Sequence, residues 1–150
     1  MSECVFCDIV RGTGEASLVY EDRVTLAFMD THQLNDGHVL IIPKIHFETI
    51  DQVPLDIAGE LFKAAVIITN AVQQAFVPDG VNIWQSNGAA AGQEVSHVHL
   101  HVFPRILADG FGAFAYPTPP QDTARTRLHE LAQRIREKID LDTKSSHTEY

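Results

Sequence analysis

The stretch Ser96-His97-Val98-His99-Leu100-His101-Val102-Phe103-Pro104-Arg105 constrains this chain more than any other. Three histidines alternate with Val98, Leu100 and Val102, a period of two, and successive side chains of a β-strand point to opposite faces of a sheet. The stretch is predicted to be a strand with imidazoles on one face and core on the other. With eight histidines in 150 residues, this spacing arises by chance in roughly two of every hundred such chains, so accident is the weaker explanation. A solvated histidine row on an amphipathic strand is the simplest alternative. Against it, adjacent imidazoles compete for protons, an arrangement kept where a ligand, a metal or a reaction uses it.

A hydrophobic content of 45% over 150 residues supports one sizeable core, so residues 1–150 are expected to form one domain. No apolar run approaches the ~18 residues of a membrane span, and the first residues lack the basic and apolar regions of a signal peptide. The expectation is a soluble, cytoplasmic protein with no membrane partner. Twenty acidic against eleven basic residues give a net charge of −9, which repels polyanions and argues against nucleic acid as a partner. A small phosphorylated ligand remains compatible, because backbone N–H groups and imidazoles can hold one without a basic surface.

Along the chain, residues 6–11 read as a short helix ended by Gly12 and Gly14. Residues 18–20 and 24–29 read as a hairpin around the polar turn 21–23, and Asp30 ends its second strand. Asn35-Asp36-Gly37 is a turn leading into a strand over 38–42, stopped by Pro43. Leu55, Ala58, Phe62, Ala65, Val66, Thr69, Val72 and Phe76 recur at helical spacing and define the principal helix, its apolar face toward the sheet. A strand over 81–86 carries Trp84 as core or interface packing. The loop 87–93 follows, where Gly88 and Gly92 open backbone angles and three alanines leave room for a ligand. Residues 106–120 read as irregular. Ala124, Leu128, Leu131, Ile135 and Ile139 mark a C-terminal helix, and the tail from Asp140 reads as frayed. The expected fold is α+β: a mainly antiparallel sheet of about five strands with one principal helix and a C-terminal helix.

The only cysteines form Cys4-Val5-Phe6-Cys7. A redox pair of this spacing normally follows a strand, and three preceding residues are too few to supply one. Zinc is the better reading, and it needs two further ligands; a reduced pair packed under the first turn is the alternative.

These residues together resemble the histidine triad (HIT) family of nucleotide hydrolases and transferases, whose motif is His-φ-His-φ-His-φ-φ with φ apolar. His97 to Phe103 match at every position. The resemblance continues through Asn87-Gly88-Ala89-Ala90-Ala91-Gly92-Gln93, Asp30, Gly37-His38-Val39-Leu40-Ile41-Ile42-Pro43-Lys44 and His46, and so covers roughly residues 4–105. It implies a HIT-like fold, a homodimer with sheets joined side by side, and a small purine nucleotide as ligand. Of the catalytic set His97, His99 and His101, His99 would attack the α-phosphorus of a nucleoside phosphoramidate or dinucleoside polyphosphate. The covalent nucleotidyl-histidine then yields a nucleoside monophosphate. Neutral imidazole, with a reference pKa near ~6.5, suits attack on an anionic substrate. The resemblance also implies that Asp30 meets the ribose hydroxyls and that His38 lies in the nucleotide pocket. A carboxylate can indeed accept two hydrogen bonds from a vicinal diol. His101, Asn87, Gly92, Gln93 and the loop amides would stabilise phosphoryl charge.

By the same resemblance Cys4, Cys7, His46 and His97 would hold a structural zinc, and no catalytic metal is expected. His101 stands where the transferase branch carries glutamine, so a hydrolase is implied. Pro104-Arg105 resembles the dinucleoside polyphosphate branch, whereas the short chain and cysteine pair resemble bacterial phosphoramidases. Glu94 departs from the serine or threonine usual beside the leaving group. Its carboxylate would favour a cationic amine over a polyphosphate, or else point to solvent, as its parity with Ser96 and Val98 suggests. Two other classes stay open: a zinc-dependent hydrolase with the three histidines as ligands, and a nucleotide-binding regulatory protein with little turnover.

Overall fold

Two adjacent strands without a polar face, Thr25–Met29 (β2) and Val39–Pro43 (β3), are buried at every position. Strands of this kind need cover on both sides, and the structure, a computed structural model describing residues 4–112 and 121–145, supplies it. Leu18–Glu21 (β1), Gly80–Trp84 (β4) and Leu100–Arg105 (β5) complete a five-stranded antiparallel sheet in the order β1-β2-β3-β5-β4. Alternate residues divide between two apolar clusters. Ala27, Met29, Val39, Ile41, Leu100 and Val102 face Leu55–Phe76 (α2) and Arg125–Ser145 (α3). Leu26, Phe28, Leu40 and Ile42 face Phe6 of the short helix Val5–Arg11 (α1). The architecture is α+β, as the sequence predicts.

The histidine stretch enters this sheet later than its alternation suggests. β5 begins at Leu100, so His97 and Val98 precede the strand, although Val98 still joins the α2 side of the core. The imidazole face is covered: His97 is fully buried and His99 nearly so. Gly37 introduces β3 with φ +105°, and a Cβ there would stand 2.6 Å from the Phe76 ring at the end of α2. Glycine is therefore needed both for the turn and for the close approach.

The buried stripe of α2 differs from the predicted one. Leu61, Ala64, Ala65, Ile68, Ala71 and Val72 are buried, whereas Leu55, Phe62 and Val66 are 91%, 56% and 60% exposed. The helix is apolar around much of its circumference, so periodicity alone admits more than one stripe. Two neighbours set the actual one, because α3 packs beside α2 in addition to the sheet. On α3, Leu128, Leu131, Ala132, Ile135 and Ile139 are buried, and Arg134 donates to the Ala75 carbonyl near the end of α2 (2.7 Å).

Pro43 pairs with Thr25 as the last residue of β3 and does not stop the strand before it. β4 ends at Trp84, two residues short of prediction, and α3 continues to Ser145, where fraying was expected from Asp140. Residues 1–3, 113–120 and 146–150, including parts of the predicted irregular segment and tail, lie outside the described residues. Among the described residues no helix is long and apolar enough to cross a membrane.

Candidate active site

The chemistry of the histidines is decided by what their second nitrogens meet. The His97 Nε2–H donates to the Pro43 carbonyl (2.8 Å), the His99 Nδ1–H to the His97 carbonyl (2.7 Å), and the His38 Nδ1–H to the His32 carbonyl (3.2 Å). A carbonyl only accepts, so each proton is assigned to the nitrogen facing it and the other nitrogen keeps its lone pair. His38 Nε2 thereby becomes an acceptor, and His101 Nδ1–H donates to it (2.9 Å). The lone pairs left over are Nδ1 of His97 and Nε2 of His99 and His101.

Burial pushes His38, His97 and His99 below the ordinary imidazole range. Burial and the neighbouring His38 and His99 push His101 down to about 2. All are neutral at neutral pH, so His99 Nε2 carries an unprotonated lone pair. The ring is wedged edge-to-face against Phe6 (5.3 Å), which meets Phe28 in the same way (5.3 Å).

His99 and His101 line a pocket of about 1100 Å³ between α1 and the sheet, a volume that accepts a nucleotide. Phe6, Ile9, Phe28 and Leu40 form an apolar wall, and Asp30 stands beside it. The Asp30 Oδ1 accepts the His32 N–H (2.7 Å), while Oδ2 lies 3.6 Å from His38 Nε2. Asn87, Gly92 and Glu94 also line the pocket. The Glu94 charge reaches His99, where with Asp30 it opposes the effect of burial. Gln93 is not on this wall: it accepts the Gly88 N–H (2.6 Å) and donates to the Glu48 carbonyl (2.7 Å), bracing the loop. Asn87 is partly committed too, since its Oδ1 accepts the Ile50 N–H (2.7 Å). The loop between them forms a 3-10 turn over Ala89–Ala91, and Gly92 follows at φ +85°.

His97 faces away from the pocket. Its Nδ1 lies 3.4 Å from Cys4 Sγ, 3.7 Å from Cys7 Sγ and 3.2 Å from His46 Nδ1, and Cys7 Sγ is 3.4 Å from His46 Nδ1. Tetrahedral zinc with bonds of about 2.0–2.3 Å requires ligand-to-ligand edges of about 3.3–3.8 Å. Burial and the adjacent Cys4 raise the Cys7 thiol, a cost that a bound cation removes. The four side chains thus fit a structural metal. Asp30, His38 and His101 form the other group of possible ligands among the described residues, but the 2.9 Å contact within it is an ordinary hydrogen bond. The three triad rings do not converge on one point.

A model of the HIT domain matches residues 11–106. The chain belongs to the HIT family. It is 37% identical to the Bacillus subtilis protein named Protein hit over 91% of this chain and 94% of that one. It is 31% identical to the adenosine 5′-monophosphoramidase of Saccharomyces cerevisiae over 91% of this chain and 83% of that one. A zinc-bound histidine triad family protein from Mycobacterium smegmatis has the same fold, with TM-score 0.80 and 32% identity over 95% of this chain and 98% of that one.

In this HIT chain Trp84, expected as core or interface packing, instead lines the pocket and stacks on His101 (4.7 Å, 19°). The sequence reading did not find the wall of Phe6, Ile9, Phe28 and Leu40, because apolar residues on a buried strand or helix carry no mark that separates pocket from core.

The neutral histidines make a prediction about pH. His38 and His101 titrate near ~6.5 when unfolded and lower when folded. Below that value the unfolded chain binds more protons, so stability falls as pH drops, by about 1.4 kcal/mol per pH unit for each such histidine. Thermal unfolding is expected to be level above pH 7.5 and to lose Tm steadily from about pH 6.5 downward, with a shallower slope in His101→Gln. A Tm independent of pH between 7 and 5 would contradict neutral, buried imidazoles.

Proposed function

We propose that this chain hydrolyses a purine nucleoside phosphoramidate at the α-phosphorus through a nucleotidyl-His99 intermediate. The observation that carries the reading is the His99 Nδ1–H bond to the His97 carbonyl, which leaves a neutral Nε2 as the reactive nitrogen. Its lone pair forms the P–N bond to the enzyme as the P–N bond to the leaving amine breaks, the amine nitrogen having taken a proton from solvent so that it departs neutral. Water then attacks the phosphorus, the P–Nε2 bond breaks, and the lone pair returns to His99. The lone pair on His101 Nε2 suits it to accept a hydrogen bond from that water and orient it, the proton passing to solvent. His101 donates to phosphate only once it carries a second proton.

The apolar wall fits a purine, and Asp30 beside it fits the ribose diol. Glu94 on the pocket wall supports a cationic amine as leaving group. The polyphosphate alternative loses support because Arg105 is not on that wall and is engaged by Asp109, Asn82 and the Phe111 carbonyl. The yeast relative's name, adenosine 5′-monophosphoramidase, agrees with the phosphoramidate reading.

In His99→Ala, turnover of a lysyl adenosine phosphoramidate is expected to fall at least about 10³-fold with AMP binding retained. Wild type quenched during turnover is expected to carry a nucleotidyl adduct by mass spectrometry. In the same assay Glu94→Thr lowers the preference over a dinucleoside polyphosphate by about tenfold. A wild type that binds AMP but yields no product would instead identify a regulatory binder.

The cysteine and histidine cluster is proposed to hold one structural zinc, which stabilises the fold and leaves the reaction to the imidazoles. Metal analysis of protein produced in zinc-replete medium is expected to find one equivalent, lost in Cys7→Ser together with several degrees of Tm. Metal-free wild type would refute the site.

A homodimer joined through β4 and α2 is proposed as well. β4 is a sheet edge, and Leu55, Phe62 and Val66 are exposed apolar residues on α2. Sedimentation is expected to give a dimer that Phe62→Glu converts to monomer; a monomeric wild type at micromolar concentration would end this reading.

A further inference from the structure

Beyond the triad the chain leaves β5 and folds back at once. The Arg105 guanidinium grips Asp109 with two bonds, Nε to Oδ2 (2.8 Å) and Nη2 to Oδ1 (3.0 Å). It also donates to Asn82 Oδ1 on β4 (2.9 Å) and to the Phe111 carbonyl (2.9 Å). The Asp109 side chain, only 5% exposed, accepts the Phe111 N–H (2.9 Å) and the Asn35 side-chain amide (2.8 Å). A planar fork with this many acceptors fixes the turn in one geometry.

That geometry places an aromatic ring. Phe111 lies under the Arg105 guanidinium (4.8 Å) and nearly parallel to Trp84 (6.1 Å, 15°), and Trp84 is nearly parallel to His101 (4.7 Å, 19°). Phe103 closes the cluster at 5.0 Å from both Trp84 and Phe111. His101 is tethered in its ring plane by the Nδ1 bond to His38. One such bond leaves the ring free to rotate about it, and a ring stacked on its face removes that freedom.

We propose that the turn over residues 106–111 is a positioning element for the third triad histidine. The Arg105–Asp109 pair sets Phe111, Phe111 sets Trp84, and Trp84 sets the plane in which His101 presents Nε2 to the substrate. Arg105 and Asp109 do not line the pocket, so they act through the stack, whereas Phe111 and Trp84 stand on the pocket wall itself. The proposal rests on the role of His101 in the proposed reaction, and its test has an arm that does not.

Phe111→Leu removes the flat ring and keeps much of its volume; Phe111→Tyr restores the plane. With the lysyl phosphoramidate, Phe111→Leu is expected to lower kcat about tenfold with KM within about twofold, the pattern of a misplaced catalytic group. Phe111→Tyr is expected to recover kcat to within about threefold of wild type. Arg105→Lys, which loses the fork, behaves like Phe111→Leu and replaces it if that variant does not fold. Trp84 is the only tryptophan, so its emission reports the stack without turnover: red-shifted and more accessible to acrylamide in the Leu and Lys variants, unchanged in the Tyr variant. Wild-type kcat in Phe111→Leu, equal losses in the Leu and Tyr variants, or unaltered Trp84 emission would each overturn the proposal. Failure of every protein, wild type included, to turn over phosphoramidates would refute the proposed function, while the emission series would still decide whether the turn sets Trp84.

Discussion

The carbonyl oxygens of His32, Pro43 and His97 can accept hydrogen bonds but cannot donate them, and each meets one ring nitrogen of a buried histidine. Everything distinctive about the site follows from that asymmetry. An imidazole has two nitrogens and, when neutral, one proton; fixing the proton on one side commits the other side to a lone pair. His97 thereby keeps a lone pair on Nδ1 toward the cysteines, His99 keeps one on Nε2, and His38 becomes an acceptor for His101. His97, His99 and His101, of identical chemistry and two apart in sequence, are given three different hydrogen-bond partners by their surroundings. Burial completes the assignment by making the doubly protonated form unfavourable in every ring.

Much of this was legible in the sequence because it rests on local pattern. Alternation over residues 97–103 announced a two-faced segment, and the runs 24–29 and 38–42 announced strands, though not that both faces of each would be covered. The stripe of α3 was legible because that helix is polar elsewhere, so one set of residues could be buried. α2 was not, since Phe62 and Val66 are as apolar as Leu61 and Ala65 and only the position of α3 chooses between them. The same limit hid Trp84: a tryptophan on a strand is compatible with core, interface or pocket, and its stack on His101 is a fact of pairing between β4 and β5.

Loop residues were the least legible. Gln93 and Asn87 carry amides suited to a phosphoryl group, yet Gln93 spends both ends of its amide on the main chain at Gly88 and Glu48. Parity also misleads in a loop, for Glu94 shares the phase of Val98 and still reaches the pocket wall because the chain bends between them, the His97 N–H turning back onto the Val95 carbonyl (2.8 Å). A period of two has meaning only where the backbone is extended.

α1 has seven residues, too few to persist as an isolated helix in water. It nevertheless provides Phe6 and Ile9 to the pocket and lies within the segment that brings Cys4 and Cys7 to His97, 93 and 90 positions away in sequence. During synthesis the first part of the pocket to leave the ribosome must therefore wait for one of the last. A nascent chain has no floor beneath this pocket until β5 has emerged and docked, so formation of the pocket and completion of the fold become the same event in time.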